Sequence, residues 1–160
     1  KLLPYKFPDV TIDKKCMQYI FNKGDVIMSK KVYDFLKDAG VFYYATVDGD
    51  CPRVRPFGLC VEYEGKLYFG MGKHKLSYKQ TVENPNVEIC ACNKDRQWIR
   101  IRGKAVFDER KELSDYVFEQ SPNLRRLYNE ETGNVLGIFY LEDATAEIAD
   151  MKGYFEAIKL

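Results

Sequence analysis

Two arginines separated by a single residue occur twice, in Arg53-Val54-Arg55 and in Arg100-Ile101-Arg102. A strand repeats every two residues, so each pair presents both guanidinium groups on one face. Like charges side by side repel, and arginine does not relieve the strain by losing its proton. Such a face suits a flat, anionic or electron-rich ligand that accepts bidentate hydrogen bonds. Along the first stretch Arg53, Arg55, Phe57, Leu59 and Val61 share a face that turns from cationic to apolar. Along the second, Trp98, Arg100 and Arg102 share one face and Ile99, Ile101 and Gly103 the other. The plain alternative is pairing with carboxylates such as Glu62, Glu64 or Glu88. Pro56 marks an edge, an end or a bulge, where the face assignment can reverse.

A second feature lies at residues 70–79, GMGKHKLSYK, which follows a predicted strand and enters a predicted helix. Its glycines allow close backbone approach to a ligand. Helix amides, lysines and the Ser77 hydroxyl offer positive potential and donors to a phosphate. The spacing is not that of a P-loop. His74 is the sole histidine, which excludes a multi-histidine metal site, and its default reading is a solvent-exposed loop residue. No Ser/His/Asp or Cys/His arrangement and no paired carboxylates stand out. Any chemistry therefore belongs most naturally to a bound cofactor.

These features sit in a chain of 160 residues, with 25 Lys and Arg against 24 Asp and Glu. That balance argues against a nucleic-acid partner bound by bulk charge, so a cationic site must be local. No apolar run approaches the roughly 20 residues of a membrane span, and the amino terminus lacks a secretory core, which points to the cytoplasm and to no membrane partner. The five cysteines, Cys16, Cys51, Cys60, Cys90 and Cys92, have neither disulfide-framework nor zinc spacing. Cys90 and Cys92 read as reduced packing residues on one strand face.

The elements that must position the arginines follow from pattern. MSKKVYDFLKDAG is a helix with Ser29 as N-cap and Gly40 as its close. In the genetic code, KGDVIM permits a purine-rich ribosome-binding sequence before an initiator codon at Met28. Residues 1–27 are thus read either as a translated leader or as an amino-terminal extension, and residues 28–160 as a single domain. Strands are expected at 41–47, then from the arginine pair through GLCVEYE after an Asp48-Gly49 turn, and at 66–70 after Glu64-Gly65. Further strands are expected at 87–93 and 97–109. A helix in RKELSDYVFEQ breaks at Ser121-Pro122 and resumes in LRRLYNEE. VLGIFYL, ATAEIADM and YFEAIKL close the chain as three short strands. Many strands, tight turns and few helices make a mainly β domain, an antiparallel closed or nearly closed barrel with flanking helices.

Over Ser29 to Leu160, the segments FYYATVDGDCPRVRPFG, GKLYFG, YKQTVENPNVEICACNKDRQWIRIRGKAVF and FYLEDATAEI follow an order and spacing similar to one known group. The chain resembles the pyridoxamine 5′-phosphate oxidase-like flavoproteins with the FMN-binding split β-barrel, and within them the Nim-type (nitroimidazole-resistance) branch. The resemblance implies a homodimer with FMN at the subunit interface. It implies that Arg53, Val54, Arg55, Pro56 and Phe57 line the flavin and that Phe69 and Gly70 lie beside its ring. Lys73, Lys75, Ser77 and Lys79 become candidates for the phosphate. Gln97 matches a glutamine that reaches the flavin, and Gln97, Trp98 and Arg100 serve the partner's site. The carboxy-terminal segment that recognises pyridoxal phosphate in the oxidases is not apparent in GYFEAIKL. The implied function is an FMN-dependent oxidoreductase passing electrons from a donor to a small-molecule acceptor, nitroaromatic compounds among them. A non-catalytic flavin-binding or stress protein and a haem-binding split barrel stand as alternatives.

Overall fold

The computed structural model describes residues 29–160, and the expected leader or arm at 1–27 lies outside the described residues. Helix α1 covers 29–39, and Gly40 (φ +73) ends it, donating its N–H to the Leu36 carbonyl at 3.0 Å. Ser29 is already helical rather than an N-cap, and its hydroxyl donates to the Gly65 carbonyl at 3.2 Å.

β1 (Phe42–Asp48) and β2 (Cys51–Phe57) form a hairpin whose pairing closes at Asp48 and Cys51, with Gly49 at φ +61. β3 (Cys60–Tyr63) and β4 (Lys66–Gly72) turn through Glu64 and Gly65, both left-handed, the geometry that a two-residue hairpin favours. The expected single strand from the arginines through GLCVEYE is therefore two. The chain breaks at Gly58-Leu59, and β2 pairs with β1 while β3 pairs with β4. α2 (Leu76–Glu83) leads to β5 (Asn86–Cys92) and β6 (Trp98–Phe107). α3 (Lys111–Gln120) is followed by a 3-10 turn at Pro122–Arg126, shorter than the second helix expected there.

β7 (Leu136–Ala149) is one strand of 14 residues where two were expected. Between Arg102/Thr145 and Lys104/Glu142 the partner strand advances two residues and β7 three, so the extra residue bulges on β7. Asp143 takes φ +52 there. The bulge switches the inward set from Phe139 to Ala144, Ala146 and Ile148, which is why the sequence pattern reads as a break. Gly103 faces this point, where a Cβ would lie 2.9 Å from the Glu142 carbonyl oxygen.

The strand order is β2-β1-β5-β6-β7-β4-β3, all antiparallel. The second half of β7 also pairs with β8 (Phe155–Lys159) on the edge whose first half meets β4. Although β1 and β4 are far apart in this order, Phe42 of β1 meets Phe69 of β4 with ring centroids 5.7 Å apart. Tyr44 of β1 likewise meets Phe139 of β7 at 5.4 Å. The sheet therefore curls into a barrel around one aromatic core, and burial of those rings drives the closure. A smaller core of Val61, Tyr68, Leu113, Val117 and Ile138 seats α3 on the outside of β3 and β4. No helix among the described residues is long and apolar enough to cross a membrane.

Candidate functional site

The curl brings two segments together that no backbone pairing joins. β2 and the Gly58-Leu59 crossover form one wall of a cleft of about 760 Å³. The other wall is the end of β4, the loop after it and the first turns of α2. β4 neighbours β3 and β7 in the sheet, so the loop reaches the arginines through closure of the barrel and not through strand pairing.

Arg53, Arg55, Pro56, Phe57, Gly70, Lys75 and Ser77 all line this cleft, together with the less foreseen Leu59, Met71, Leu76, Gln80, Leu124 and Tyr128. One side is cationic and polar and the other apolar. The volume falls within the roughly 300–1,000 Å³ of small-molecule sites. Gly70 tightens the floor, since a Cβ there would lie 2.6 Å from Leu59 Cδ2.

The two arginines of the opening pair are not equivalent. Arg53 is exposed and its Nε donates to Asp48 Oδ2 at 3.2 Å. Arg55 is half-buried, and its Nη1 donates to Thr46 Oγ1 at 2.6 Å while Nη2 donates to Gln80 Oε1 at 2.6 Å. Among the described residues no carboxylate lies at ion-pair distance from Arg55 or Lys75; Asp48, which also lines the cleft and attracts Arg55 through space, is held by Arg53. Burial pulls the Arg55 guanidinium below its usual range, because the charged form is the one that loses hydration. An anion in the cleft would restore that lost solvation.

Beneath Arg55 lies a buried polar layer that sequence reading missed. Thr46 Oγ1 donates to Gln80 Oε1 at 2.8 Å, the Tyr44 hydroxyl meets Thr81 Oγ1 at 2.8 Å, and Thr81 donates to the Ser77 carbonyl at 2.8 Å. Burial pushes the Tyr44 phenol well up, which keeps it neutral. The only sequence signal was polar residues at inward positions of β1 and α2, a pattern that does not announce its partners.

At the α2 N-terminus, Lys75 is the N-cap without a side-chain cap, and the Leu76 and Ser77 amides meet no acceptor among the described residues. Both residues line the same cleft, and the unpaired amides of a helix start add to its positive potential.

Other expected site residues stand elsewhere. Val54 is on the opposite face of β2 and 63% exposed. Phe69 is buried in the core against Phe42 and Phe139, with ring centroids 5.7 Å away in each case, and does not line the cleft. Lys73 pairs with Glu109 at 2.7 Å, and Lys79 points outward with Glu83 4.0 Å away. Gln97 accepts from Asn93 Nδ2 at 3.3 Å in the β5–β6 turn. Trp98 and Arg100 lie on the outer sheet face, where Arg100 and Arg102 both meet Glu147, at 2.9 and 2.7 Å. None of these reaches the cleft within the chain. Among the described residues no cluster of His, Cys, Asp or Glu could hold a metal.

Comparison with known proteins agrees with this architecture. The family model described as pyridoxamine 5′-phosphate oxidase matches residues 28–134. A NimC/NimA family protein from Clostridium acetobutylicum is 39% identical, with a TM-score of 0.81, covering 89% of this chain and 99% of that one. The General Stress Protein 26 of Bacillus anthracis is 16% identical with a TM-score of 0.62, covering 82% of this chain and 98% of that one. A FAD-binding protein from Mesorhizobium loti is 16% identical with a TM-score of 0.54, covering 78% and 94%. No curated protein matches. From the family match over most of the domain, and from a NimC/NimA relative followed along nearly its whole length, the chain belongs to the pyridoxamine 5′-phosphate oxidase-like split-barrel family.

Proposed function

We propose that this protein is an FMN-dependent oxidoreductase that passes electrons to a small-molecule acceptor of the nitroaromatic kind. The observation that carries the proposal is Arg55, a half-buried guanidinium on a cleft wall, held by neutral oxygens and with no carboxylate at ion-pair distance among the described residues. The cleft's donor set fits the cofactor. Arg55, Lys75 and the open α2 amides suit a phosphate, while Phe57, Leu59, Met71 and Tyr128 suit a flat ring. Two or three charge-assisted hydrogen bonds at about 1.5–3 kcal/mol each support micromolar retention after ordering costs. Bound FMN would supply the electron-carrying ring, and the chain supplies its seat, its orientation and its electrostatic surroundings. Arg53, already shared with Asp48, contributes a weaker and more solvated charge.

The working form in this proposal is a cytoplasmic homodimer. The outer face of β2, β1, β5 and β6 supports it, since Val54, Tyr43 and Val47 are 63%, 51% and 38% exposed there, on cross-strand rows that continue to Arg100 and Arg102 of β6. A mixed face of that kind, with exposed apolar side chains on β1 and β2 beside the arginines of β6, is what a second subunit covers. In that arrangement Gln97, Trp98 and Arg100 serve the second copy's flavin.

The test is reconstitution. Protein mixed with FMN and freed of excess by gel filtration is expected to carry bands near about 375 and 450 nm and to reduce a nitroaromatic compound when given NAD(P)H. A colourless protein overturns the cofactor reading. A coloured protein without turnover leaves flavin binding standing and overturns the enzyme, and a Soret band would transfer the cleft to haem.

A further inference from the structure

The arginines carried by the strands differ in what holds them. Arg53 meets Asp48, and Arg100 and Arg102 share Glu147. Arg55 is the exception among the described strand arginines, because its side-chain acceptors, Thr46 and Gln80, are both neutral. Gln80 is 5% exposed and Thr46 3%, and the three groups close a triangle. Arg55 donates to both oxygens, and Thr46 donates to Gln80 Oε1 at 2.8 Å. Gln80 comes from α2 and Thr46 from β1, so the guanidinium carried by β2 is fixed by two further elements.

We infer that Gln80 is a positioning residue whose neutral amide oxygen orients Arg55 without neutralising it, reserving the guanidinium charge for the phosphate-bearing ligand of the cleft. The inference rests on the flavin reading above. A carboxylate at this position could accept the same two hydrogen bonds in nearly the same shape, and it would form an ion pair with Arg55 at a distance where attraction is strong. An incoming anion would then meet a compensated pair rather than a free charge. A glutamine supplies the geometry of such a pair and withholds its charge.

The experiment compares wild type with Gln80→Glu, measuring FMN affinity by quenching of flavin fluorescence and apoprotein stability by thermal melting. Gln80→Glu is expected to weaken FMN binding by about tenfold or more while the melting temperature stays level or rises. The opposite movement of the two readouts separates positioning from a structural role, in which both would fall together. Wild-type affinity in a folded Gln80→Glu protein overturns the inference and leaves the flavin reading intact. Absence of FMN binding by the wild type overturns both. If Gln80→Glu does not fold, Gln80→Met carries the test. It keeps the shape and removes the acceptor, so weaker FMN binding supports the inference and unchanged binding overturns it.

Discussion

Arg55 and Arg53 illustrate how one sequence motif separates into two roles once neighbours are known. Both were legible as cleft candidates from their spacing, yet Arg53 spends its charge on Asp48 in solvent while Arg55 keeps its own. Arg55→Ala is expected to weaken FMN binding about 10- to 100-fold, the value of one charge-assisted contact. Arg53→Ala is expected to cost a few-fold at most, since exposed and already paired charges contribute little. Fluorescence titration of the two variants checks the order, and equal losses would count against the distinction. The buried partners of Arg55 were not legible. Thr46, Gln80 and Thr81 look like ordinary strand and helix residues until β1 and α2 pack together.

At the level of elements, the bulge on β7 is the feature that lets one strand serve two neighbours. It reverses which residues face the core, so the first half of β7 completes the sheet with β4 and the second half pairs with β8. Gly103 is required because Glu142 crosses close to it, and Gly103→Ala is expected to cost about 1–3 kcal/mol by chemical denaturation. A variant as stable as wild type would show that the crossing relaxes freely. The sequence pattern located most strand boundaries to within two residues, because β-branched and aromatic alternation is local information. It misjudged β2–β3 and β7, where the decisive events were a change of pairing partner and an extra residue. Neither changes local composition.

For the molecule as a whole, closure of the barrel buries groups that titrate. Burial raises the Cys60 thiol from 9.0 to about 12 and also pushes Tyr44 up. A group whose folded pKa is raised stabilises the fold fully below its unfolded pKa and loses that contribution as pH climbs toward the folded value. Stability is therefore expected to fall as pH rises from about 9 toward 12, and Cys60→Ala should flatten part of that slope in pH-dependent denaturation. A slope unchanged in Cys60→Ala would assign the alkaline loss elsewhere. The proposed dimer makes its own prediction. Tyr43→Asp, on the outer sheet face, is expected to yield a folded monomer by sedimentation while the circular dichroism spectrum is retained. A wild type that sediments as a monomer would remove the dimer from the proposal.

By itself the sequence determined the mainly β class, the tight turns at Gly49 and Gly65, the outward arginines of β6 and the cationic character of the region after β4. Each of these follows from side-chain alternation, backbone permissiveness or charge within a few residues. Only the tertiary structure decided that β4 and β2 face each other across a cleft without pairing, that Phe69 belongs to the core, and that Lys73 and Lys79 turn away. It also decided that Arg55 rests on neutral oxygens. Those outcomes depend on burial of Phe42, Tyr44, Phe69 and Phe139 around one centre, and that nonlocal gain is invisible in any window of the chain.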